Sequence, residues 1–226
     1  AYAYLVDACE ALWLRGLVGQ AWEVSSRAMA IEDLSRVDLD PTRLKTYKLK
    51  LLNVRADVVY TRGEWKESEK LIDAQREIAR ELGDQRALAD ALRDLGRVHY
   101  RLDQLESSSA LLEKSQKISR SIGYREGIVQ TLFELSAQAW DRGELDKTEE
   151  LAREGLVMAE AEGTRMGKER AELLLAVTAV DAYRGNLAYA SRGLEEAIEI
   201  LDAIGQKQSL CVALSNLGEI NVWQGQ

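Results

Sequence analysis

Histidine and cysteine are the side chains in this sequence that most readily act as bases, nucleophiles or metal ligands. His99, the single histidine, lies in the segment GRVHYR, and we interpret it as a half-buried residue with satisfied hydrogen bonds rather than a catalytic base. Cys9 and Cys211 stand near opposite ends of the chain, without the close spacing of a metal or redox pair. The sequence contains no GxxxxGK[ST] or GxGxxG loop that would cradle phosphates. It therefore predicts no enzyme activity, no cofactor and no metal site.

Three arginines indicate a binding chemistry instead. Arg93, Arg97 and Arg101 follow one another at intervals of four residues, so they share one face of a helix. One interpretation is that their guanidinium groups bind an acidic peptide segment or a free terminal carboxylate through forked hydrogen bonds. The other is an ordinary solvated face on which nearby carboxylates neutralise the row. These carboxylates belong to Asp90, Asp94 and Asp103.

Composition excludes two classes of partner. A net charge of −8 and a pI near 5.0 repel a phosphate backbone, so no nucleic-acid binding is expected. No apolar run approaches the roughly 20 residues that cross a bilayer, and the first residues do not form a signal peptide. With two distant cysteines, these features predict a cytoplasmic protein that does not enter a membrane.

The predicted helices that position these side chains follow a repeating sequence pattern. Turn positions recur at steps of 47, 40, 40, 42 and 40 residues. These anchors are Gly16, Gly63, Asp103, Gly143, Gly185 and Gly225. A fixed period in this range is the signature of a stacked helical solenoid.

Positions at fixed distances from the anchors share one residue type. Eleven residues before them stand Leu5, Leu52, Leu92, Leu132, Leu174 and Leu214. Seven before them, the residues are small: Cys9, Ala56, Gly96, Ser136, Thr178 and Gly218. Five after them, they are small again: Ala21, Ser68, Ser108, Thr148 and Ala190. The leucines predict a buried seam and the small residues a close crossing of two helices.

A second set of glycines completes the repeating unit. They follow the anchors by twenty residues, at Gly83, Gly123, Gly163 and Gly205. The unit is therefore a helix, a tight turn, a second helix and a glycine stop. One such hairpin cannot bury its apolar face alone, so each copy is expected to cover its neighbour.

The repeat divides the chain into six parts. The predicted units are 1–36, 42–83, 84–123, 124–163 and 164–205, followed by a half unit at 206–226. The excess of the first step falls in 35–45, where flexibility is expected and Pro41 should open a helix. Two extra residues near 163–170 predict a longer loop or helix start. Because the chain starts and stops within a unit, we expect a fragment of a longer protein whose open repeat ends allow self-association.

The repeat resembles the tetratricopeptide repeat. In the segment 87–123 the packing positions of that family are filled by Leu92, Leu95, Gly96, Tyr100, Ser108 and Leu112. The period of 40 is longer than the usual 34 and is similar to repeats of bacterial signalling ATPases, transcription activators and kinases. The resemblance implies an all-α fold: a right-handed superhelix of antiparallel helix hairpins around a concave groove.

The resemblance also implies which residues face that groove. In the second and third units they are Lys50, Asn53, Asp57, Tyr60, Asp90, Arg93, Arg97, Tyr100 and Arg101. In the fourth and fifth units they are Gln130, Phe133, Ala137, Trp140, Glu172, Leu175 and Ala179. Phe133 and Trp140 are expected one repeat away from the arginines. Aromatic residues three before the anchors fit either packing or ligand contact: Trp13, Tyr60, Tyr100 and Trp140.

Two functions follow from this interpretation. The first is a scaffold module that recognises a protein or peptide in the groove. The alternative is a regulatory sensor segment of a multidomain signalling protein, in which the groove holds a small effector or a neighbouring domain of the same protein.

Overall fold

The computed structural model describes residues 2–31, 40–161 and 166–225. Within them the chain is all α-helical, as predicted. The helices are α1 (Tyr2–Leu14), α2 (Val18–Met29), α3 (Pro41–Thr61), α4 (Trp65–Leu82), α5 (Gln85–Arg101), α6 (Leu105–Ser121), α7 (Arg125–Asp141), α8 (Leu145–Ala161), α9 (Gly167–Tyr183), α10 (Leu187–Ala203) and α11 (Lys207–Trp223). None of these helices carries an apolar stretch long enough to cross a membrane.

Local sequence sets where the helices begin and end. Asp40 caps α3 by accepting hydrogen bonds from the backbone N–H groups of Thr42 and Arg43, both at 3.0 Å. Pro41 is the first residue of that helix, as predicted. Every anchor turns the chain in the left-handed region, with φ between 61° and 80°. Asp103 is the one described residue other than glycine with positive φ, and it serves as an anchor in place of glycine.

Two expectations fall partly beyond the described residues. The flexible point predicted in 35–45 includes residues 35–39, which lie outside them, and so does Gly163 of the second glycine set. Near 163–170, helix α9 begins at Gly167.

The chain divides into two compact units, residues 1–118 and residues 119–226. In the first unit, one apolar cluster joins α1, α2 and α3, and a second joins α3, α4 and α5. In the second unit, one cluster joins α7, α8 and α9, and another continues through α9, α10 and α11. Each hairpin therefore shares its core with the next hairpin of the same unit, which is the logic of a helical repeat.

The two columns of small residues meet where paired helices cross. Ser108 Oγ donates to the carbonyl oxygen of Gly96 at 2.6 Å, and Ser68 Oγ donates to that of Ala56 at 3.0 Å. A Cβ atom on Gly96 would lie 2.8 Å from Leu112 Cγ, and Leu112 is fully buried. The helices therefore approach to a distance that a larger side chain would prevent.

We expect Gly96→Ala to lower the free energy of unfolding by about 1–3 kcal/mol, because the added methyl group overpacks the crossing. Gly218 occupies the same column in α11, where a Cβ would meet nothing within 4 Å. G218A should therefore raise the free energy of unfolding by up to about 1 kcal/mol through helix propensity. Urea denaturation of both variants measures whether each substitution lowers or raises the free energy of unfolding. If G96A were as stable as G218A, the crossing would not be close-packed.

Candidate functional site

The arginines of the sequence analysis lie in the first unit, on α5, beside α3. Arg97 Nη2 lies 3.0 Å from Asp57 Oδ1, and its guanidinium carbon lies 4.3 Å from the centre of the Tyr60 ring. Arg101 Nε donates to Tyr60 Oη at 3.1 Å. A cation–π contact and two hydrogen bonds thus tie the row to the preceding hairpin.

Carboxylates of the chain pair with Arg93 and Arg97. Arg93 Nη1 lies 2.9 Å from Asp90 Oδ1, and Arg93 Nη2 lies 3.1 Å from Asp94 Oδ1. The Asp94 side chain is only 8% exposed, and its Oδ1 also lies 3.7 Å from Arg97. We call this group the arginine face. Its members are Asp57, Tyr60, Asp90, Arg93, Asp94, Arg97 and Arg101.

The arginine face matches the second interpretation of the sequence for Asp90 and Asp94, which pair with the arginines. Asp57 was expected to face a ligand. It pairs instead with Arg97, which lies in the next hairpin. An acidic segment that approached this face would have to compete with carboxylates already in place.

Asp57 is an acid of the arginine face whose pKa is shifted. Burial raises the pKa of its carboxyl, and repulsion from Asp94 raises it further. The guanidinium of Arg97 offsets part of this rise in pKa. The folded chain therefore holds the Asp57 proton more tightly than the unfolded chain does.

This raised pKa gives the free energy of unfolding a pH dependence of definite sign. The stability contributed by protonated Asp57 should be fully present below the ordinary aspartate pKa of about 3.9 and lost as pH rises through the raised value. Asp57→Asn removes the titration, so the stability of D57N relative to the wild type should increase with pH across that window. Urea denaturation at a series of pH values measures the difference. A difference that did not change with pH would contradict the raised pKa.

The other predicted groove positions of the first unit are Lys50, Asn53 and Tyr100. Lys50 Nζ lies 2.9 Å from Glu10 Oε2, and this hydrogen bond raises the pKa of the lysine. Asn53 is exposed and Tyr100 is half-buried. The half-buried His99 ring contacts Ser107 Oγ through Nδ1 at 2.8 Å and Glu69 Oε1 through Nε2 at 3.0 Å. Both ring nitrogens have partners, in agreement with the interpretation of His99 as a satisfied residue.

In the second unit, residues of α7, α9, α10 and α11 line two adjacent open cavities of 320 and 340 Å³. The first is lined by Phe133, Ser136, Ala137, Trp140, Asp141, Glu172, Leu175, Ala176, Ala179, Ser209 and Val212. The second is lined by Trp140, Thr178, Ala179, Ala182, Tyr183, Leu194, Asn216, Glu219, Ile220 and Trp223. We call the pair the aromatic groove. Trp140 and Ala179 line both cavities and so form their junction.

Large rings give the aromatic groove its character. Trp140 and Tyr183 meet edge to face, with ring centroids 6.3 Å apart and planes at 85°. Tyr183 is 73% exposed and Trp223 is 61% exposed, so both present apolar surface to solvent. Exposed rings beside a concave apolar floor are typical of a surface that a partner covers.

The sequence predicted part of this groove. Six of the seven positions carried over from the fourth and fifth units line the first cavity. The seventh, Gln130, donates from Nε2 to Glu169 Oε1 at 3.0 Å. Of the aromatic column before the anchors, Trp13 packs into the first apolar cluster and Trp140 lines the groove.

Sequence reasoning missed the contribution of α11. Val212 and Glu219 stand at the offsets of Glu172 and Ala179, so extending the same columns by one unit would have found them. Tyr183 and Trp223 stand two residues before their anchors, a column that carries Thr61, Arg101 and Asp141 elsewhere. This column therefore gave no consistent aromatic signal.

The side chains that could bind a metal ion are those of His, Cys, Asp and Glu. Among the described residues, no three or more His, Cys, Asp or Glu side chains cluster in a way that could hold a metal ion.

Comparison with known proteins places the fold. A family model of the tetratricopeptide repeat matches residues 47–121. No curated protein sequence matches the chain. The solved structure of BtubC from P. vanneervenii is similar with a TM-score of 0.67 and 18% identity, over all of this chain and 85% of that one.

Two further solved structures have a similar fold. A signal-transduction ATPase with numerous domains from Pyrococcus horikoshii, which carries a tetratricopeptide repeat sensor, matches with a TM-score of 0.68 and 16% identity. The match covers 96% of this chain and 32% of that one, so the chain spans about a third of that ATPase. NprR in complex with its cognate peptide NprX matches with a TM-score of 0.64 and 11% identity, over 96% of this chain and 61% of that one.

These likenesses, with the match at 47–121, establish the fold. The chain is a tetratricopeptide-like helical repeat protein, which confirms the resemblance drawn from its sequence. Such repeats serve as protein-interaction or sensor modules.

Proposed function

We propose that this repeat protein binds a segment of a partner protein or a peptide in the aromatic groove of its second unit. The observation that carries the proposal is the groove itself, in which Trp140, Tyr183 and Trp223 surround two apolar cavities. Aromatic side chains in a concave surface are the anchors that dominate the affinity of protein interfaces. NprR, which has a similar fold, is solved in complex with a peptide, and this supports the class of partner.

The groove, rather than the arginine face, is our candidate for the partner site. Arg93 and Arg97 already pair with carboxylates, and their exchange for a ligand carboxylate would gain little free energy. The apolar surface of the groove gains free energy when a partner removes it from water. The proposal assigns no catalytic step to this chain.

Capture of partners from a lysate of the source organism tests the proposal. The baits are the wild-type chain, Ala179→Trp, which places an indole at the junction of the two cavities, and Val157→Trp. V157W is the matched control, because Val157 is 67% exposed on α8 and does not line the groove. We expect proteins that the wild type and V157W capture and A179W loses.

A fourth bait separates the two surfaces. It carries R93E, R97E and R101E, which reverse the charge of the arginine row. Partners that A179W retains and this bait loses would place the site on the arginine face, as the sequence analysis expected. Partners retained by all four baits would place the binding site on neither the aromatic groove nor the arginine face.

A sensor function is the second candidate. Each cavity, at 320 and 340 Å³, has the volume of a small-molecule pocket, which begins at about 300 Å³. The tetratricopeptide repeat sensor of the similar ATPase favours the same idea. A thermal-shift screen of soluble metabolites against the wild type and A179W would detect such an effector. The effector would stabilise the wild type and leave A179W unchanged.

A further inference from the structure

We infer that the occupant of the aromatic groove is a segment in which apolar residues are flanked by lysine or arginine. This inference rests on the proposed function and adds the chemistry of the partner. The proposed segment is basic, whereas the arginine row suggested an acidic one. Three observations carry it, and the first is the charge of the lining. Asp141, Glu172 and Glu219 line the two cavities, while no lysine or arginine does so among the described residues.

The second observation is the environment of these carboxylates. Glu219 is exposed on α11, and the described part of the chain offers it no ion-pair partner. Glu172 is half-buried and has Lys168 Nζ at 3.8 Å. Glu219 therefore presents negative potential at the edge of an apolar surface, where a cation of a partner would be attracted.

The third observation is the distribution of charge along the chain. Residues 119–226 contain 11 Lys and Arg against 18 Asp and Glu, a net charge of −7. Residues 1–118 contain 19 against 20, a net charge of −1. Nearly all of the net charge of −8 thus belongs to the unit that carries the groove, which steers basic partners toward it and repels acidic ones.

The exposed rings can also bind the cations directly. Elsewhere in the chain, the guanidinium carbon of Arg55 lies 4.2 Å from the centre of the Trp22 ring, and that of Arg62 lies 4.4 Å from it. Trp223 and Tyr183 are exposed rings that line the groove with Glu219, so arginine or lysine of a partner can stack on them.

A display library of random short peptides tests the inference. It is selected on the intact chain, in parallel on A179W, and the enriched peptides are then titrated by fluorescence anisotropy. We expect sequences with aromatic or aliphatic residues flanked by Lys or Arg, enriched on the wild type and not on A179W. Their dissociation constants should rise by about tenfold in E172Q/E219Q, because this variant removes two negative charges that line the groove and would attract the partner's cations. The control E195Q/E199Q removes the same charge from exposed positions of α10 outside the cavities and should leave binding unchanged.

The outcomes separate the inference from the proposed function. Enriched peptides that are acidic or uncharged, and that need the open groove, would overturn the basic partner and leave the binding function standing. Equal effects of the two Glu→Gln pairs would do the same, because they would show only an effect of net charge. No enrichment, or enrichment that A179W retains, would overturn the proposed function and this inference with it.

Discussion

Replacing Trp140 by alanine should weaken the binding of a groove-selected peptide by thirtyfold or more, which corresponds to a loss of about 2–4 kcal/mol. The ring lines both cavities, so its removal merges and enlarges the space that the partner must fill. It also removes the edge-to-face support of Tyr183, whose centroid lies 6.3 Å away. Isothermal titration of the peptide into the wild type and W140A measures the loss.

Two further measurements keep this prediction specific. Trp140→Phe retains a ring in the same place and should preserve most of the affinity. The far-ultraviolet circular dichroism of W140A should match that of the wild type, because Trp140 is only half-buried. A folded W140A that bound the peptide as tightly as the wild type would remove Trp140, and the junction it forms, from the site.

The groove was partly predictable because it depends on repeat register. Phe133, Ala137 and Glu172 reach the first cavity by standing at fixed offsets from their anchors, and these offsets can be counted in the sequence. The aromatic edge made by Tyr183 and Trp223 follows no column that the other units share. Its assignment required the positions of α9 and α11 in space.

The arginine face shows a different limit of sequence reasoning. The spacing of the arginines predicts repulsion along one helix, and Asp90 and Asp94 are close enough in sequence to relieve it. Asp57 lies forty residues before Arg97, so their ion pair follows only from the packing of α3 beside α5. Local patterns predicted the charges, and the tertiary contact decided which of them are neutralised.

The turns were the most predictable feature. A tight turn between two helices needs a residue with positive φ, which glycine adopts at little cost, and aspartate tolerates this conformation better than most residues. The spacing of five glycines therefore identified Asp103 as the sixth anchor, and its φ of 61° agrees. The leucine column was less informative, because identical residues at one offset do not have equal burial. Leu132 is fully buried, whereas Leu214 is 51% exposed.

We expect Leu132→Ala to lower the free energy of unfolding by about 2–5 kcal/mol, and L214A to lower it by about 1 kcal/mol or less. Leu132 on α7 lies against α8, where a Cβ on Gly155 would be 3.5 Å from Leu132 Cβ, so the closely packed backbone cannot fill the cavity left by truncation. Leu214 lies on α11, the last helix that the structure describes, and much of its side chain already contacts water.

Guanidinium denaturation followed by circular dichroism compares the two variants. Because repeats can unfold in parts, the curves should be fitted with one transition for each unit, and the loss in L132A should fall on the transition of residues 119–226. Equal losses in the two variants would mean that the leucine column stabilises the chain through repeat position alone, and not through burial.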